Sequence, residues 1–160
     1  MPITPNDPDT IGFLLTDVSR LFRARIDQLI AEAGIGMTAG EARTLIHAAR
    51  LGQVRQNVLA EHMGVEAMTV SSYLDRLEAN GFIERVPDPD DRRAKLVHLT
   101  GTSEHALEQI RTISLGLRAE VAKTIPPDQW ALLIAMLKTV RSNLYEQASA
   151  INKKTKDGDE

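Results

Sequence analysis

The sequence predicts a mainly α-helical protein with one small β-hairpin, on three observations. Apolar residues recur at intervals of three and four over several long stretches, the period of a helix face. Two short runs rich in Ile, Val and Leu, at 82–86 and 95–99, flank a turn built of Pro and Asp, which is a hairpin signal. Just before them Ala60 stands four positions ahead of Gly64, between two short helical segments. In a helix-turn-helix the small residue lets the next helix pack closely, and the glycine takes the turn's unusual backbone angles. Helix, turn, helix and hairpin in that order describe a winged helix-turn-helix, and the long helices on either side read as dimerisation helices. The expected organisation is an arm and dimerisation helix over 1–36, the winged module over 37–100, C-terminal dimerisation helices over 101–151 and a disordered tail over 152–160.

Taken in order, residues 1–9 hold three prolines and three Asn or Asp residues, so they read as an arm outside the helices. From Thr10 onward Ile11, Leu14, Val18, Leu21, Phe22, Ile26, Leu29 and Ile30 form one helix face, ended near Ala33 by Gly34 and Gly36. Thr38 and Glu41 form a capping box for a second helix, with Leu45, Ile46 and Ala49 facing inward and Gly52 as its stop. A short helix from about Arg55 to His62 leads into the Gly64 turn. The helix after it spans roughly 66–80, with Val70, Leu74 and Leu77 as its buried stripe and Gly81 as its cap. After the hairpin, Thr100 is the expected N-cap of a helix reaching about Thr124 through Ala106, Ile110, Ile113, Leu117 and Val121. Pro126 and Pro127 break it, and a last helix carries Trp130, Leu133, Ile134, Leu137, Val140 and Leu144. These flanking stripes exceed what one small module can cover, so a symmetric homodimer is expected, with a monomeric bundle as the alternative.

Composition narrows the chemistry. The chain has 160 residues and no cysteine, which excludes disulfides, thiolate metal sites and a thiol redox switch. There is no signal-like N-terminal segment and no apolar run of membrane-spanning length, so a soluble cytoplasmic protein with no membrane partner is expected. The four histidines show no helical ligand pair, and the Asp88–Asp91 cluster lacks the further oxygens and the glycine of a calcium loop. No nucleophile elbow or phosphate-binding loop is present, so neither an enzyme nor a bound cofactor is expected.

The residues that remain point to double-stranded DNA. Thr69, Ser71, Ser72 and Arg76 lie off the buried stripe of the second motif helix, and hydroxyls and arginine suit base edges and phosphates. At the hairpin tip Arg92 and Arg93 stand where a wing meets the backbone or minor groove, with Asp91 placed to orient an arginine. The bland readings are a solvated helix face and a charged turn. Charge is a caution: the net charge is −3, and residues 34–100 hold eight Lys or Arg against nine Asp or Glu. Affinity must therefore come from a few placed groups. A winged helix used for protein contacts is the alternative function.

The runs 59–65, 69–85 and 88–100, with Asp91, Arg93 and Leu99-Thr100 at the wing, resemble the MarR family of transcriptional regulators. The segment Asp91-Arg92-Arg93-Ala94-Lys95 is similar to its SlyA branch. The resemblance implies an intertwined homodimer, in most cases a repressor, on a near-palindromic operator. It makes Thr69, Ser71, Ser72 and Arg76 the recognition-helix contacts, Arg93 the wing-tip arginine and Asp91 its orienting partner. It also implies release of DNA by a small aromatic or phenolic effector, for which Phe22, Arg25, Arg43 and His47 are the candidate lining. Two departures stand out: Arg55 where the family has a capping Ser or Thr, and Gly101 and Ser103 where a glycine falls later.

Overall fold

A computed structural model describes residues 10–91 and 93–156, with side chains described to residue 148. The order of elements is α1 (Ile11–Ala33), α2 (Ala39–Leu51), β1 (Val54–Arg55), α3 (Gln56–Met63), α4 (Ala67–Ala79), β2 (Ile83–Pro87), β3 (Lys95–Leu99), α5 (Thr102–Ala122) and α6 (Pro127–Lys156). The chain divides into two compact units, Met1–Leu117 and Arg118–Glu160.

In the first unit, local chemistry sets the element ends. Thr38 and Glu41 make the reciprocal capping box, with Glu41 Oε2 accepting the Thr38 N–H at 2.9 Å and Thr38 Oγ1 accepting the Glu41 N–H at 3.3 Å. Gly64 closes α3 at φ 63°, a left-handed conformation that glycine adopts without steric cost, and its N–H donates to the Ala60 carbonyl. That bond is the helix-turn-helix elbow. The sheet is antiparallel in the order β1-β3-β2, with Val54 opposite Val97 and Arg85 also opposite Val97 on the other side.

The main core takes a residue or more from nearly every element of the module: Leu45, Val54, Leu59, Val70, Leu74, Leu77, Ile83, Val97 and Ala106. A second cluster of Ile30, Ala42 and Ile110 joins α1, α2 and the first part of α5. Val70, Leu74 and Leu77 are fully buried, and burial at about 25 cal/mol per Å² is what fixes α4 on the module.

The structure corrects the sequence reading at four places. Ala49 is exposed and Ala48 is the residue turned inward on α2. A third strand, β1, precedes α3; two residues are too few to leave a period-two signal. Thr100 does not cap α5 with its side chain: its hydroxyl donates to the Gly81 carbonyl at 2.5 Å, while its own carbonyl accepts the Ser103 hydroxyl at 2.7 Å. Thr100 therefore ties the end of β3 back to the end of α4. Finally, α6 remains helical through Lys156, past the expected start of the tail at Asn152. The arm at 1–9, the remainder of the tail at 157–160 and Arg92 lie outside the described residues.

In the second unit the end of α5 and α6 are joined by a turn in which the Ile125 N–H donates to the Ala122 carbonyl at 2.9 Å. Pro127 opens α6 at the position where its missing N–H costs nothing. Leu132, Leu133, Met136, Leu137, Leu144 and Tyr145 of α6 are exposed. In the first unit Ile11, Phe13, Leu14, Val18 and Leu21 of α1 are exposed as well. No helix among the described residues is long and apolar enough to cross a membrane.

Candidate nucleic-acid interface

Helix α4 is rooted by Val70, Leu74 and Leu77, each with no exposed surface. Of the residues expected to contact DNA, Ser72 and Arg76 are exposed, while Thr69 and Ser71 are half-buried at the edges of the free face. Arg76 is not wholly free: its Nη1 donates to Glu41 Oε1 at 3.4 Å, so the guanidinium leans toward the start of α2. Its side chain nonetheless keeps 61% of its surface exposed. The same end of α2 meets α4 through Tyr73, whose ring lies over Gly40; a Cβ at Gly40 would stand 2.5 Å from the Tyr73 Cζ. Gly40 is thus the space into which the aromatic ring of α4 fits.

The wing is held by carboxylates acting on the backbone. Asp88 is buried, its Oδ1 accepting the Asp90 N–H at 2.8 Å and its Oδ2 accepting Arg55 Nε at 2.5 Å. The Asp90 N–H and the Arg55 guanidinium together hold the Asp88 carboxyl below its ordinary range. Arg55 occupies the N-cap position of α3 without capping it; it anchors the base of the wing to β1. The Asp88 N–H donates to the Ala94 carbonyl at 3.0 Å, and the Ala94 N–H to the Asp91 carbonyl at 2.8 Å, closing the tip.

Asp91 acts differently from the sequence expectation. Its Oδ1 accepts the backbone N–H of Arg93 at 3.1 Å, so it shapes the turn that presents Arg93 and does not grip the guanidinium. Arg93 is exposed.

Arg85 joins the wing to α4. Its Nε and Nη2 donate to Glu78 Oε2 at 2.9 and 2.5 Å, its backbone N–H donates to Glu78 Oε1 at 2.9 Å, and Nη2 also reaches Asp75 Oδ1 at 2.7 Å. The Arg85 hydrogen bond depresses the Glu78 pKa from its ordinary 4.5. A guanidinium fork on two carboxylates of one helix fixes strand and helix as a unit. Nothing in the sequence marks the Arg55–Asp88 pair, but Glu78 and Arg85 lie on either side of the Gly81 turn, a spacing that hints at their meeting.

Ion pairing divides the charged groups of the module into held and unheld ones. Among the described residues Arg43, Arg55, Arg76 and Arg85 are each paired with a carboxylate, whereas Arg50, Arg93 and Lys95 are in no ion pair. Arg93 and Lys95 both stand at the wing, so among the described residues it offers an unpaired guanidinium and ammonium beside the unpaired carboxylates of Asp90 and Asp91.

The four candidate effector residues lie on α1 and α2. Arg43 pairs with Asp27 of α1, and Arg25 donates to Gln28 at 3.2 Å on its own helix. Phe22 is exposed on α1. His47 is half-buried, and its pKa lies below 6.5 because burial, and then Arg50, His62 and Arg43, oppose its charged form. A concavity along α1, lined by Leu15, Ser19, Arg23 and Asp27 among others, includes none of the four.

An exposed, hydroxyl-bearing helix beside a three-stranded wing defines a winged helix-turn-helix protein. The MarR family model matches residues 37–95. The transcriptional regulator PA3341 is 31% identical, with 86% of this chain and 99% of that one covered at a TM-score of 0.72. Wild-type MarR of E. coli is 26% identical, with 84% and 98% covered at a TM-score of 0.74. A mutant E. coli MarR solved in complex with operator DNA is 25% identical, with 87% and 99% covered at a TM-score of 0.68. The chain belongs to the MarR family of transcriptional regulators.

Proposed function

We propose that this chain is a homodimeric regulator that binds double-stranded DNA at a near-palindromic operator. The observation that carries the proposal is the Arg93 guanidinium, exposed and in no ion pair on a turn that Asp91 shapes, next in the fold to an α4 whose outer face carries hydroxyls. A relative solved on operator DNA supports it. In this reading Thr69, Ser71 and Ser72 reach base edges or phosphates in the major groove, and Arg76 exchanges Glu41 for a phosphate. Arg93 enters the minor groove or meets its backbone, with Arg92 beside it in sequence. The exposed apolar residues of α1 and α6 support a second copy as the partner, because a stripe of that extent costs free energy in water. Two-fold symmetry places the half-sites about one helical turn, ~10 bp, apart.

The regulator acts as a repressor in the cytoplasm. A small aromatic or phenolic acid bound near Phe22, Arg25, Arg43 and His47 releases it by favouring a half-site spacing that no longer fits the operator. Arg43 would then leave Asp27 for the ligand carboxylate.

A gel shift with DNA upstream of the protein's own coding sequence tests the central claim. Arg93→Ala lowers affinity while the dimer stays intact, and the log–log salt slope flattens by about 0.9 for every phosphate that the variant no longer neutralises. Unchanged affinity in Arg93→Ala rules out the wing's role. A folded dimer that binds no sequence leaves protein contacts as the function of this surface. Titration with aromatic carboxylates tests release, and no loss of operator binding with any of them removes the effector.

A further inference from the structure

We infer that Met68 is a specificity-determining residue of the DNA interface, reading the C5-methyl group of a thymine in the major groove. The inference rests on the DNA-binding reading above and adds a base preference to it. Met68 is 81% exposed, more than any other large apolar side chain among the described residues. The other exposed apolar residues fall on α1, α5 and α6, with Leu99 at the end of β3, so Met68 is alone on α4. A second copy covering the α1 and α6 stripes has no bearing on it.

Its position on the helix is what makes the exposure informative. Residues advance by about 100° around an α-helix, so Met68 and Ser72 stand opposite the stripe of Val70, Leu74 and Leu77. Thr69 and Ser71 lie at the sides of the free face and are half-buried, and Asp75 and Arg76 are drawn to Arg85 and Glu41. Met68 and Ser72 therefore project furthest into a groove that α4 enters. A hydroxyl there serves donors and acceptors of every base pair. An apolar thioether serves only one major-groove feature, the thymine methyl. Methionine is unbranched and reaches across an imperfect fit, which suits a contact on a helix whose other groups set the docking.

The test uses the full-length protein and a duplex that it selects from a random pool. Each thymine of that duplex is replaced in turn by deoxyuridine, which removes the methyl and nothing else. Wild type loses about fourfold in affinity per half-site at one thymine position, the worth of one buried methyl group. Met68→Ala binds the parent duplex more weakly and is indifferent to deoxyuridine at that position, while Met68→Leu keeps the sensitivity. The proposal is overturned if wild type is indifferent to deoxyuridine everywhere, or if Met68→Ala keeps the wild-type sensitivity. If folded wild-type protein enriches no duplex at all, the DNA-binding reading itself fails, and the role of Met68 with it.

Discussion

Glu78→Gln tests the link between the wing and α4. The substitution preserves shape and leaves Oε1 to accept the Arg85 backbone N–H, but it removes the charge and puts an NH2 group, which cannot accept, in place of the oxygen that takes Arg85 Nε and Nη2. A hydrogen bond to a charged group contributes about 1.5–3 kcal/mol when shielded, and an exposed ion pair only about 0.2–1 kcal/mol. Arg85 has 17% of its side-chain surface exposed and Glu78 has 37%, between those limits, so solvent screening brings the expected loss at pH 7 to about 1–2 kcal/mol. For a chain of this size that is a fall in Tm of roughly 3–6 °C. The pH dependence separates this bond from simple repacking. Arg85 depresses the folded pKa of Glu78, so the stabilisation is complete above 4.5 and is lost as pH falls through the lower folded value. Urea denaturation of both proteins from pH 7 down to pH 3.5 should show the gap constant at first and narrowing below 4.5. A gap that stays the same at every pH, or one under about 0.3 kcal/mol at pH 7, refutes the reasoning.

Three further outcomes follow from the same geometry. Gly40→Ala sets a methyl against the Tyr73 ring and destabilises by about 1–2 kcal/mol, whereas in a Tyr73→Ala background it stabilises, because only helix propensity then acts; equal effects in both backgrounds, measured by chemical denaturation, exclude the clash. Burial holds His47 neutral in the folded protein, so the unfolded chain takes up the proton first and stability falls as pH drops below 6.5; His47→Gln should flatten that part of the Tm–pH curve, and an unchanged curve excludes the assignment. Thr38→Ala removes the capping-box acceptor and should cost about 1 kcal/mol, read as a shift in urea midpoint at constant slope; a changed slope means that more than the cap was altered.

How far the sequence reaches is clear from particular residues. Periodicity located α1, α2, α4, α5 and α6 closely, because each carries a repeating apolar stripe and most are bounded by a local signal: the Thr38 box, the Gly64 elbow, the Gly81 turn. The same reasoning missed β1, which consists of two residues whose partner strand lies some forty positions away in sequence. It also chose Ala49 over Ala48, since alanine carries little hydrophobic signal to tell one helix face from the next.

The candidate site divides along the same line. The sequence by itself determined the module, the outward face of α4, the wing and the exclusion of thiol chemistry, because helix and strand periods, caps and turns are short-range physics. Only the tertiary structure decided what each charge does. Arg55 and Asp88 are separated by a helix-turn-helix and half a hairpin, and Arg76 and Glu41 belong to different helices, so no spacing rule joins them. Folding brings those carboxylates to those arginines and leaves Arg93 and Lys95 in no ion pair among the described residues. Charge pairing acts over a few ångströms of space and is blind to distance along the chain.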